Sequence, residues 1–144
     1  MPSDAALYRR AALFALTSSF PAALGICAFV TGRSSVVIFA KAFPLQIASA
    51  YGVMAAFVWL LAPFLGPACT RRIDLAGLAG VVVLFVGVLS GSLTSLVVYR
   101  DSSFHDYVLK PLRVFGLYGS LPAFILGIAA CLLSRNLFSA REPR

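Results

Sequence analysis

The sequence predicts an all-α integral membrane protein, a four-transmembrane-helix bundle with short loops and a single domain over residues 1–144. Three observations carry this. Of 144 residues, 60% are hydrophobic and only 12% are charged, about half the charged share of a soluble domain. The mean hydropathy is +0.94. Four apolar stretches reach the roughly 20 residues that cross a bilayer, and none has a charge in its middle. A soluble domain of this length needs a polar shell, and there are too few polar residues to build one. A soluble fold, a disordered chain and a nucleic-acid-binding domain are therefore excluded.

The first span is expected over 11–31. Arg9 and Arg10 precede it, and Gly32 and Arg33 follow. It is too long for an ordinary signal-peptide core and no A-x-A site follows. Ile26, before Cys27, occupies the place where a lipoprotein site needs a small residue. The segment therefore reads as a retained helix. Residues 33–45 are apolar but interrupted by Lys41 and Pro44. They read as a short interfacial helix or a bent lead-in to the second span, breaking near Pro44.

The second span is expected over 46–66, closed by Gly66 and Pro67. The third is expected over 75–98, with Asp74 placed to cap its free N–H groups. The fourth is expected over 112–134. Pro111 stands just before it, Arg113 can snorkel to the interface, and Ser134 and Arg135 end it. The short chain and short loops suit an inner-membrane protein of bacterial type.

The formal charge of +7 arises from basic residues spread between the apolar runs. Their expected partners are lipid headgroups. With four spans both termini share one side, which carries Arg9, Arg10, Arg71, Arg72, Arg135, Arg141 and Arg144. The other side carries Arg33, Lys41, Arg100, Lys110 and Arg113. The positive-inside rule then puts both termini in the cytoplasm.

Lipid gives helices no hydrophobic reason to meet, so packing falls to small residues. The third helix carries Gly80, Gly87 and Gly91, and the fourth carries Gly116 and Gly127. Gly87 and Gly91 form a GxxxG. These five are the expected helix-packing positions, within the bundle, in a homo-oligomer or against another membrane protein. Pro21 and Pro122 are expected kinks. They free the carbonyls of Thr17 and Tyr118, with Thr17, Ser18, Ser19 and Ser120 near enough to compensate.

No Walker A, G-x-S-x-G or HExxH motif is present. All five carboxylates, Asp4, Asp74, Asp101, Asp106 and Glu142, lie outside the expected spans, which argues against proton-coupled exchange. Three cysteines form no CxxC pair, and the single histidine is remote from them in sequence. No catalytic residue, cofactor or metal is expected.

One polar feature stands out on the side away from the termini. Gln46, Tyr51, Ser90, Thr94 and Tyr118 occupy the outer halves of the later helices, next to a loop, 99–110, that holds His105 and Asp106. Two readings remain open: a polar pocket with a loop lid, or hydroxyls that bond their own and neighbouring helices. The expected function is an accessory or interaction protein without catalysis. The alternative is a small channel or facilitator using the outer pocket.

Overall fold

A computed structural model describes residues 4–32, 41, 43–99 and 103–139. Helix α1 is Asp4–Thr31, α2 is Pro44–Arg71 and α3 is Ile73–Val98. A continuous fourth helix, α4, covers 105–139. It alternates π turns (His105–Leu109, Phe115–Gly119) with α segments (Lys110–Val114, Ser120–Ser139). Among the described residues α2, α3 and α4 are each long and apolar enough to cross a membrane. α1 has the same 28-residue length as α2 and completes the all-α membrane bundle.

The four helices form a ring in which each packs on its chain neighbours and α1 closes against α4. Every adjacent pair is antiparallel. Ser19 meets Tyr51 while Tyr8 meets Gly66, and Gly87 meets Met54 while Gly91 meets Gln46. Gly80 meets Ala123, Gly116 meets Phe85, and Phe29 meets Tyr118. Both described chain ends therefore lie at one end of the bundle, here the terminal end, opposite a distal end.

Turn chemistry sets this order. Gly32 ends α1 in the left-handed region (φ +87°), its N–H bonding the Ala28 carbonyl at 3.0 Å, a conformation open to glycine at a helix C-terminus. Only Arg72, extended at φ −129° and ψ 105°, separates α2 from α3. A reversal that short holds the two helices side by side.

Several boundaries differ from the sequence expectation, and proline explains most of them. α2 begins at Pro44 after a non-helical Phe43, and most of the expected lead-in, 33–40 and 42, lies outside the described residues. It does not close at Gly66 and Pro67 but continues to Arg71, with Pro63 and Pro67 inside it. Pro63 has no N–H for the Trp59 carbonyl. Arg9 Nε donates to that carbonyl at 3.1 Å, with its guanidinium 4.6 Å from the Trp59 ring centre. A side chain on α1 thus replaces the missing helix bond.

α4 begins at His105 rather than near residue 112, so Pro111 lies inside it. Each π turn comes just before a proline, Pro111 or Pro122. In the first, the Lys110 N–H reaches back five residues to the His105 carbonyl. A widened turn relieves the clash between a proline ring and the carbonyl four residues earlier. The hydroxyls near the expected kinks bond elsewhere than foreseen. Thr17 and Ser18 donate to the Phe14 carbonyl, Ser19 to Leu16 and Ser120 to Gly116, not to the freed carbonyls of Thr17 and Tyr118. Asp74, expected as a cap, stands in the first turn of α3 and holds the Arg72 guanidinium at 2.8 Å.

The tightest crossing is between α3 and α4. A methyl group on Gly80 would overlap the Ala123 carbonyl oxygen, and one on Gly127 would overlap the Ala76 carbonyl oxygen. Backbone meets backbone there, and neither partner can turn aside. At the α2–α3 contact, a methyl on Gly87 would fall 2.5 Å from Met54 Sδ and one on Gly91 3.1 Å from the Gln46 carbonyl oxygen. Gly116 has only ordinary contact, 3.4 Å to Phe85 Cζ. The GxxxG pair is therefore not the closest approach.

Candidate functional site

The expected outer pocket resolves into a hydroxyl seam and some scattered neighbours. Ser49 Oγ and Ser90 Oγ lie 2.9 Å apart. The Thr94 hydroxyl donates to Ser49 Oγ at 2.7 Å and also lies 3.0 Å from the Ser90 carbonyl. Ser95 donates to the Gly91 carbonyl at 3.1 Å, and Gln46 is buried beside Gly91. Ser49, Ser90 and Thr94 stitch α2 to α3 in the distal half. Ser92 is also buried, with no hydrogen-bond partner for its hydroxyl among the described residues.

Other residues of the expected pocket point elsewhere. Tyr51 faces α1, 3.4 Å from the Ser19 hydroxyl and edge-on to Phe20 at 5.5 Å. Tyr118 is exposed and packs edge-on against Phe29 of α1. His105 and Asp106 belong to the first turn of α4 rather than to a loop. They are exposed, with His105 Nδ1 3.6 Å from Asp106 Oδ1 and Lys110 paired to the same carboxylate oxygen. An aromatic cluster stands at the distal end instead. Tyr99 and Tyr107 stack at 5.7 Å, and Phe43 stands edge-on to both at 6.0 and 6.4 Å.

A second space lies in the other half. A cavity of about 490 Å³ runs between all four helices from Tyr8, Gly66 and Ser134 at the terminal end to Ser19, Tyr51, Phe115 and Gly119 near mid-bundle. About two thirds of its lining residues are Ala, Leu, Val or Phe, and Tyr8, Ser19, Tyr51 and Ser134 add hydroxyls. That volume lies within the range of small-molecule sites, roughly 300–1,000 Å³, and apolar cavities of this kind stay dry and take apolar ligands. No sequence pattern marks it. Small residues such as Ala15, Ala62, Ala79 and Ala130 line this space.

Two further contacts at the terminal end had no sequence signal. Arg135 Nε donates to the Thr70 carbonyl at 2.7 Å, with its Nη2 on the same oxygen, capping the last turn of α2 from α4. The Cys131 thiol, buried, donates to the Cys69 carbonyl at 3.1 Å. Both tie the end of α2 diagonally to α4.

Comparison with protein-family models, curated proteins and solved structures finds no match.

Proposed function

We propose that this chain is a multi-pass inner-membrane protein without catalysis of its own, an accessory or interaction protein that packs against another membrane protein. In this reading all four helices cross the bilayer and both termini are cytoplasmic, consistent with the excess of arginine on their side. The observation that supports a partner is the outer face of α2. Ala48, Gly52 and Ala56 recur every four residues, all three are exposed, and Gly52 has nothing within 4 Å of where a Cβ would stand. Gly77, Gly80, Gly87, Gly91 and Gly127, by contrast, meet helices of the same bundle. A bare small-residue ridge lets another helix approach closely.

The channel reading has less support. A conducting path needs polar lining through both halves, whereas the hydroxyl seam is distal and the terminal-half cavity is apolar. The test is purification in mild detergent of the wild type and Gly52→Leu. The expected result is a co-purifying membrane protein, or a second copy, that Gly52→Leu loses while its helix content is unchanged. Equal recovery with both forms, or no partner with either, overturns the proposal.

A further inference from the structure

The cavity has a mouth, and the mouth faces sideways. Its exposed lining residues are Leu65 and Ala68 on α2 and Leu78 and Val82 on α3; every other lining residue is at least partly buried. Leu65, Leu78 and Val82 are 42%, 54% and 51% exposed. The opening is thus a window between α2 and α3. The Gly87–Met54 contact bounds it on one side and the Arg72 turn on the other. In a bilayer such a window opens onto lipid chains rather than water.

The shape suits a chain. The α4 wall runs from Phe115 to Ser134, about 28 Å at roughly 1.5 Å per residue. Spread over that length, the volume makes a slot rather than a globe. Beyond the window, at the membrane-surface side, stand Arg71 and Arg72 at the α2–α3 turn, with Arg135 bonded to Thr70 close by. Among the described side chains one carboxylate, Asp74, stands there, paired to Arg72. Three guanidinium groups against one carboxylate leave a net positive site at headgroup level, suited to a phosphate.

We infer that this cavity is a lipid site. One acyl chain of an anionic phospholipid enters between α2 and α3 and lies against the apolar wall, and its phosphate meets Arg71 and Arg72. The chain leaves a bilayer that is as apolar as the cavity wall, so its burial alone supplies no net affinity. Retention over bulk lipid therefore depends on filling the dry cavity and on the arginines.

The test uses the full chain in vesicles containing phosphatidylglycerol or phosphatidylcholine that carries a photoreactive group near the end of one acyl chain. Adducts are mapped by peptide mass spectrometry. Adducts on buried or half-buried wall residues such as Met54, Ala123 and Leu126 are expected, stronger from phosphatidylglycerol. Ala62→Leu/Ala79→Leu, which fills the slot beside the window, should lose the interior adducts. Arg71→Gln/Arg72→Gln should lose the headgroup preference. Adducts confined to bilayer-facing residues such as Phe14, Phe64 and Leu117 in the wild-type protein overturn the proposal, and no folded variant is needed for that outcome. Interior adducts equal for both lipids overturn the arginine assignment. A dimer that excludes lipid from the slot would show instead that a second copy is the occupant.

Discussion

Helices α2 and α3 meet twice, and the two meetings differ. In the distal half glycine and hydroxyl side chains close the seam: Gly87 and Gly91 admit Met54 and Gln46, and Ser49, Ser90 and Thr94 bond across it. In the terminal half the same two helices carry Leu61, Leu65, Leu78 and Val82, and they line a cavity instead. Both halves are apolar enough for lipid. Branched side chains hold two backbones apart, whereas glycine and serine let them approach and then give them something to exchange. Between α2 and α3 the contact closes where small and hydroxylic residues coincide, and alanine alone, as at Ala62 and Ala79, does not close it, whereas the α3–α4 crossing closes on glycine against backbone.

The largest effect is expected at the α3–α4 crossing, which holds the cavity wall opposite the window. Gly80→Leu or Gly127→Leu places atoms against a backbone carbonyl, so the cost should reach or exceed the roughly 1–3 kcal/mol of overpacking. Thermal melting in detergent should show loss of the folded bundle. Gly87→Leu should cost less, because Met54 is flexible and can move. Val82→Leu, at the window, should be close to neutral. Equal losses at 80, 87 and 82 would erase the distinction between closed and open halves.

A smaller effect is expected in the hydroxyl seam. Ser49→Ala removes the acceptor of Thr94 and the partner of Ser90. The expected cost is about 1 kcal/mol, typical of such bonds between membrane helices, read from the same melt. The corresponding substitution Ala79→Ser, in the open half, should give no gain.

A comparable effect of known logic is expected at Arg9. Arg9→Met should lower the melting temperature because the Trp59 carbonyl loses its donor. Pro63→Ala restores the backbone N–H to that carbonyl, so in a Pro63→Ala background Arg9→Met should cost less. Additive effects would show that Arg9 acts only through the Trp59 ring. The smallest effect is expected at the distal surface. His105→Ala/Asp106→Ala removes exposed charges from the first turn of α4, and melting should not change measurably, as is usual for exposed ion pairs.

The fold class was legible because hydropathy and span length depend on composition over about 20 residues. Helix ends were less so. Gly66-Pro67 looks like a stop in sequence, but the lost bond of Pro63 is made good by Arg9, about 50 residues away along the chain, a partnership no local pattern reveals. The start of α4 was hidden for a similar reason, since a π turn lets the helix run through Pro111. The polar residues 46, 90 and 94 were visible as a group. Their meaning was not, because whether hydroxyls line a pocket or close a seam depends on the distance between helices. The apolar cavity was invisible, since an alanine facing a void and one facing a helix have the same neighbours in sequence.

The most direct measurement compares the two halves of the α2–α3 interface by disulfide cross-linking, with native Cys27, Cys69 and Cys131 replaced by alanine. One form carries Ser49→Cys/Ser90→Cys, whose native hydroxyl oxygens are 2.9 Å apart. The other carries Leu65→Cys/Leu78→Cys at the window. Under mild oxidation in the membrane the first pair should close rapidly and the second should stay reduced, because a disulfide needs Cα atoms within about 7 Å. Equally rapid closure of both pairs would contradict an open terminal half and the cavity built on it.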